Sequence, residues 1–219
     1  AELAILTLMR AWHDAGHEVV FYNNPKTANA SAFLQLPISL FNKSDNRDIL
    51  IIFRSPNNRA IGANGKKIWF SCDQYTVGNY RDFAQHVDEI VTISNFHAKY
   101  FEAHYGISCT TTIDLPVRIW EYGEVQTKQK NSFIFCSVPD RGLAVLADCY
   151  DELYRNIPGM TLTITSDYRL WGAYSPMNEQ YVRKFLGKPG VRFLGAVSRE
   201  QLIQEQKLAQ FHAYSCTYD

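Results

Sequence analysis

The stretch "SFIFCSVPDRGLAVLADCYDELY", residues 132–154, runs an apolar segment into a short polar turn and the turn into an amphipathic segment. A short apolar run closed by a turn suits a buried strand, and the apolar spacing from Leu143 onward predicts a helix. Strand, turn and helix in that order open a parallel α/β unit, because parallel strands need a crossover between them. The turn also raises a chemical question. A helix N-terminus offers backbone N–H groups and the positive end of a dipole to an anion. Arg141 adds a guanidinium that can hold two phosphate oxygens, and Gly142 permits close backbone approach. The bland alternative is equally open: Asp140 caps the helix and Arg141 is a solvated first-turn residue. A cation there opposes the helix dipole, so Arg141 calls for a compensating partner, which a bound anion would supply.

The same alternation extends both ways. Downstream follow "MTLTITS", a strand; "MNEQYVRKFLG", a helix; "VRFLGAV", a strand; "SREQLIQEQKLAQ", a helix with Ser198 as N-cap; and "FHAYSC", a strand. Upstream, residues 2–15 read as a buried helix stopped by Gly16, followed by the strand "HEVVFY". "FLQLPISL" is ambiguous. "DILIIFRS", "KKIWFSCD" and "DEIVTIS" are apolar runs with polar ends, the pattern of parallel strands buried on both faces. "NFHAKYFEAHYG" is a helix stopped by Gly106, with Ser94 or Asn95 as its cap. Right-handed crossovers place all strand C-terminal ends on one edge, where Asn23, Arg54, Ser71, Asp73 and Ser94 would line a crevice. Polar residues dominate 121–131, which reads as a linker. The architecture is therefore α/β, with two parallel-sheet domains: 1–120, and 132–219 after the linker.

With 219 residues, one large domain or two small ones are expected. Twenty-two basic residues balance twenty-two acidic ones, so neither a nucleic-acid surface nor a broad anionic-membrane surface is implied. No run approaches a membrane span, and no signal peptide is visible. Five scattered cysteines without a C-x-x-C pair read as free thiols in a reducing compartment. There is no P-loop, nucleophile elbow, H-E-x-x-H or Rossmann glycine fingerprint. The histidines show no metal-ligand spacing. "TSDYRLWG", 165–172, leaves the second strand of the second unit, and its Tyr168, Arg169 and Trp171 either contact a ligand or pack on the surface.

Three blocks in order, "TISNFHAKYFEAHYGI", "SVPDRGLAVLADCYDELYRNIPGMTLTI" and "FLGAVSREQLIQEQKLAQFHAYSC", resemble the GT4-type retaining glycosyltransferases (glycosyl transferases group 1). The resemblance spans most of the chain and implies the GT-B fold, two Rossmann-like parallel-sheet domains facing across a cleft. It implies transfer of a sugar from a nucleotide-diphosphate donor to an acceptor hydroxyl with retention, in carbohydrate biosynthesis. Ser137, Arg141 and Gly142 then correspond to the donor diphosphate site, and Tyr168, Trp171, Ala196 and Val197 border the nucleotide. Asp73 and Asn95 are the catalytic candidates of the first domain; Cys72 stands where the family often has histidine. The implied partners are a nucleotide-sugar donor and a glycan, lipid or protein acceptor, with no cofactor, metal or nucleic acid. The implied location is cytoplasmic, with peripheral association at the inner membrane face as an option. The family's first strand with its glycine-rich loop, and its E-x7-E motif, have no counterpart between Ala1 and Asp219. The resemblance thus implies a chain incomplete at both ends and inactive as it stands. The alternative is a non-catalytic nucleotide- or sugar-binding protein of the same fold.

Overall fold

A computed structural model of the chain describes residues 2–24, 32–75, 77–109 and 111–216, apart from the side chains of Glu2 and Trp171. The chain divides into two compact units, Ala1–Val117 and Arg118–Asp219. Each is an α/β unit with parallel strands throughout.

In the first unit, α1 (Glu2–Asp14) precedes β1 (Val20–Asn23) and β2 (Leu34–Pro37), which form a small sheet of their own. The ambiguous "FLQLPISL" therefore holds β2 and then a 3-10 turn, Ile38–Leu40. Asn23 ends β1 in this separate sheet. Ile5 and Met9 of α1 pack with Phe33, Phe21 and Phe53. Four further strands lie in chain order: β3 (Ile49–Phe53), β4 (Lys66–Phe70), β5 (Glu89–Thr92) and β6 (Thr111–Thr112). Between them come α2 (Tyr80–Ala84) and α3 (Asn95–Tyr105). Trp69 of β4 is fully buried among Tyr80 and Phe83 of α2 and Phe101 of α3. This aromatic cluster fixes both helices against the sheet. α3 begins at Ser94, whose Oγ accepts from the His97 N–H at 3.1 Å, and ends at left-handed Gly106.

In the second unit, the order is β7 (Ser132–Phe135), α4 (Leu143–Asn156), β8 (Thr161–Ile164), α5 (Met177–Phe185), β9 (Val191–Phe193), α6 (Arg199–Leu208) and β10 (Phe211–His212). The spatial order is β10-β7-β8-β9. α4 and α5 cover one core, with Leu143, Leu146 and Tyr150 against Phe135, Leu162, Ile164 and Phe185. The chain first steps outward from β7 and then returns past it to β10. With right-handed crossovers, α6 belongs on the opposite face, and the loop after β7 lies where the strand order reverses, a topological switch point. Ser198 caps α6 by accepting from the Gln201 N–H at 3.2 Å.

Residues 121–131 lie within this second unit. Their polar groups bond to α6 and its C-terminal turn: Glu121 with Arg199 at 2.6 Å, Tyr122 Oη with Gln206 at 2.6 Å, and the Gln129 N–H with the Leu208 carbonyl at 2.9 Å. Arg199, helped by Arg118, holds the Glu121 carboxyl below the usual carboxylate range.

Gly142 ties the switch point together. It is left-handed at φ 97°, and a Cβ added to it would collide with the carbonyl of Ser215 and the amide of Cys216. Ser215 Oγ donates to the Gly142 carbonyl at 2.6 Å. Gly142→Ala should therefore destabilise the second unit by about 1–3 kcal/mol, read by chemical denaturation. An unchanged midpoint would show that the approach of the two backbones is not obligatory.

Candidate functional site

At the first unit's sheet edge, the C-terminal ends of neighbouring strands are joined by polar contacts. Arg54 follows β3 and Asp73 follows β4. Arg54 Nε donates to Asp73 Oδ2 at 2.5 Å. Arg54 is left-handed at φ 74°, a conformation that costs a non-glycine residue about 1–3 kcal/mol. Two bonds hold it there: its N–H donates to the Phe70 carbonyl at 2.9 Å, and its carbonyl accepts from Trp69 Nε1 at 2.9 Å. Nothing in the sequence signals this backbone.

The Asp73 carbonyl is held in turn. It accepts from Ser71 Oγ at 3.2 Å and from His97 Nε2 at 2.9 Å. His97 Nδ1 lies 3.4 Å from the Ile93 N–H and can only accept from it, so the ring is assigned as the neutral Nε2–H tautomer. His97 is 3% exposed, and its burial pushes its pKa down, outweighing the pull of Asp73. Both nitrogens are thus spent on the backbone. Asn95, by contrast, is exposed in the first turn of α3, one strand over from Asp73.

In the second unit, the candidate residues all fall on loops leaving the C-terminal ends of adjacent strands. Ser137, Arg141 and Gly142 follow β7; Tyr168 follows β8; Ala196 and Val197 follow β9. The side chain of Trp171, another of the candidates, lies outside the described residues. Gly142 is the N-cap of α4, and no side chain caps this helix. Asp140 does not cap it; its Oδ1 accepts from Tyr168 Oη at 2.6 Å. Tyr168 is 6% exposed, and burial, reinforced by Asp140, raises its phenol pKa. It is a strut between two loops, with its ring inside rather than presented for stacking. Arg141 is not simply solvated. Its guanidinium meets the Cys216 sulfur and the Tyr214 hydroxyl, which help keep it charged. Protein groups beyond β10 thus supply part of the compensation its place by the helix dipole requires.

Asp167 was not singled out by sequence. It is 4% exposed and its carboxylate accepts from the Arg169 N–H at 2.8 Å, Arg169 Nε at 2.8 Å and Asn178 Nδ2 at 3.3 Å. It also accepts from the Ala196 N–H, which joins the loops after β8 and β9. Burial pushes this carboxyl up, but the bonds from Arg169 and Ala196 outweigh it and hold it below the usual range. Among the described residues, no group of three His, Cys, Asp or Glu side chains could hold a metal ion. Among them, too, no helix is long and apolar enough to cross a membrane.

No family model matches the chain. A search of curated proteins finds no match either. Solved structures do match. A glycosyltransferase from Rickettsia africae ESF-5 aligns with a TM-score of 0.71 at 12% identity, over 97% of this chain and 68% of its own. TarM aligns with a TM-score of 0.55 at 10% identity, over 83% of this chain and 38% of its own. The chain thus has the α/β fold of these glycosyltransferases, in agreement with the GT-B resemblance, and spans about two thirds of one and under two fifths of the other.

Two outcomes follow from this geometry. The folded-state pKa of His97 is lowered, so its contribution to stability is complete above its ordinary value near 6.5 and is lost as pH falls below it. Melting curves between neutral and mildly acidic pH should drop more steeply for the wild type than for His97→Asn; parallel curves would contradict the assignment. Tyr168→Phe should cost about 1 kcal/mol through loss of the bond to Asp140, measured by denaturation.

Proposed function

We propose that the protein is a retaining glycosyltransferase of GT4 type, moving a sugar from a nucleotide-diphosphate donor to an acceptor hydroxyl. One observation carries this reading. In a fold similar to that of known glycosyltransferases, Arg141 and uncapped Gly142 open α4 where the strand order reverses. Open α/β sheets bind ligands at such points, and uncapped first-turn N–H groups suit an anion.

The chemistry follows from charge. As the glycosidic bond to the donor breaks, positive charge develops at the anomeric carbon and negative charge on the leaving diphosphate. The dipole of α4 and the Arg141 guanidinium stabilise that diphosphate, with the Ser137 hydroxyl beside them. The struts Asp140–Tyr168 and Asp167–Ala196 hold the loops that border the nucleotide, so Ala196 and Val197 can meet its ring through backbone groups. Asp73 and Asn95 serve the acceptor side. Retention arises by front-face attack, the acceptor proton passing to the leaving phosphate. The charge stabilisation comes from protein groups, without a metal. The acceptor is a glycan, lipid or protein, and the reaction takes place in the cytoplasm or at the inner membrane face.

Arg141→Ala in the full-length protein should weaken nucleoside-diphosphate binding by about 1.5–3 kcal/mol, the range for a hydrogen bond to a charged group. Titration calorimetry decides it: unchanged affinity removes Arg141 from the site. Binding without transfer to any acceptor would favour the non-catalytic alternative.

A further inference from the structure

A cysteine follows the last residue of β7. Cys136 stands directly after Phe135, at the head of the loop that carries Ser137 and Arg141. Its sulfur lies 3.5 Å from His212 Nε2 and 3.5 Å from Gln206 Nε2. Strand register brings the first pair together. β10 runs parallel to β7 with His212 beside Ile134, so an imidazole from the end of β10 meets the sulfur at the end of β7. Gln206 comes from α6 and is anchored in turn, its Oε1 accepting from Tyr122 Oη at 2.6 Å.

Donor and acceptor roles follow. The Gln206 amide nitrogen only donates, so the sulfur accepts from it. The thiol proton is left for His212 Nε2, and the ring is assigned as the Nδ1–H tautomer that can accept it. A nucleophile bonded to an imidazole base is the arrangement that activates a thiol. Burial pushes the Cys136 thiol up, while the Gln206 bond pulls the other way. The resting sulfur therefore keeps its proton, and its reactivity depends on a base that removes it. Two other cysteines supply the contrast. Burial, reinforced by the Glu102 charge, pushes Cys109 up to about 11. Cys149 donates to the Leu146 carbonyl of its own helix at 3.5 Å. Cys136 is half-buried and His212 is exposed, so a small solute has access to the pair.

We propose that Cys136 and His212 form a peroxide-reactive pair, a site of reversible oxidation of Cys136 to the sulfenic acid. His212 Nε2 takes the thiol proton as the sulfur attacks one oxygen of hydrogen peroxide. The O–O bond breaks and an S–OH group forms. The departing hydroxide takes the proton from the imidazolium and leaves as water. The sulfur loses two electrons and the peroxide gains them. Thiols reverse the product by condensing with it. A free thiol kept for transient oxidation suits a reducing compartment. This site stands whether or not the protein is a glycosyltransferase.

The test treats the full chain with hydrogen peroxide, traps sulfenic acid with dimedone and locates the adducts by mass spectrometry. Cys136 should label at least tenfold faster than Cys149. His212→Gln should slow Cys136 about 100-fold or more, the range for a positioned general base, with Cys149 and the melting temperature unchanged. The wild-type rate should level off with rising pH once the imidazole is neutral. The His212→Gln rate should keep rising toward the raised thiol pKa. Gln206→Met removes the other partner but keeps the base, and should keep the plateau. The proposal is overturned if Cys136 labels no faster than Cys149, or if His212→Gln leaves its rate and pH profile unchanged. Loss of the plateau in Gln206→Met would overturn it too, because His212 would then act only as support for the loop.

Discussion

The second unit turns on one close approach of backbone to backbone. At Gly142 the chain entering α4 runs against the chain leaving β10, with no room for a β-carbon and with Ser215 bonded across the gap. Because β10 pairs with β7 on the side away from β8, the loops that follow β7 and β10 leave the sheet side by side. Arg141 is held by residues from that second loop, and α4 starts without a side-chain cap because its cap position is taken by a glycine. The helix terminus without a side-chain cap and the cation held beside it are both consequences of the same packing demand.

The two sheet edges solve a common problem differently. Loops at the ends of buried parallel strands carry backbone groups that must be satisfied. In the first unit, neutral side chains do this: buried His97 and Trp69 and half-buried Tyr105 each bond to a carbonyl. In the second, a carboxylate does it: Asp167 gathers backbone N–H donors from two loops, while Asp140 ties the loops through the Tyr168 hydroxyl. The first arrangement uses neutral groups and leaves the Arg54–Asp73 ion pair partly open to solvent. The second places one buried charge, Asp167, between the loops after β8 and β9 and surrounds it with donors, the condition under which such a charge is tolerable.

What could be read from sequence was local. Serine caps at Ser94 and Ser198, the stop at Gly106 and the apolar strand runs all depend on neighbours within a turn or on one face of one element. The alternation of those elements then carried the parallel architecture. What escaped were pairings between distant positions: Arg54 with Asp73 across 19 residues, Asp140 with Tyr168 across 28, Glu121 with Arg199 across 78. Tyr168 shows the difficulty well. A tyrosine in a polar loop suggests a ring available for stacking, and only the partner hydroxyl acceptor on another loop draws it inside. The polar residues of 121–131 are alike in this: their partners on α6 lie some 80 residues further along the chain.

The strand order also sets a timetable for synthesis. β7 lies between β8 and β10, but its neighbour on one side arrives much later than the other; Ser132 waits for Gln210, 78 residues on. At about 5–20 residues per second, that edge stays unpaired for on the order of ten seconds as the chain emerges. During that interval the chain displays an apolar strand with open hydrogen-bonding groups, the form most prone to pair with the wrong partner. The two-residue β10 therefore acts late in the life of the chain, as the piece that covers this edge of β7.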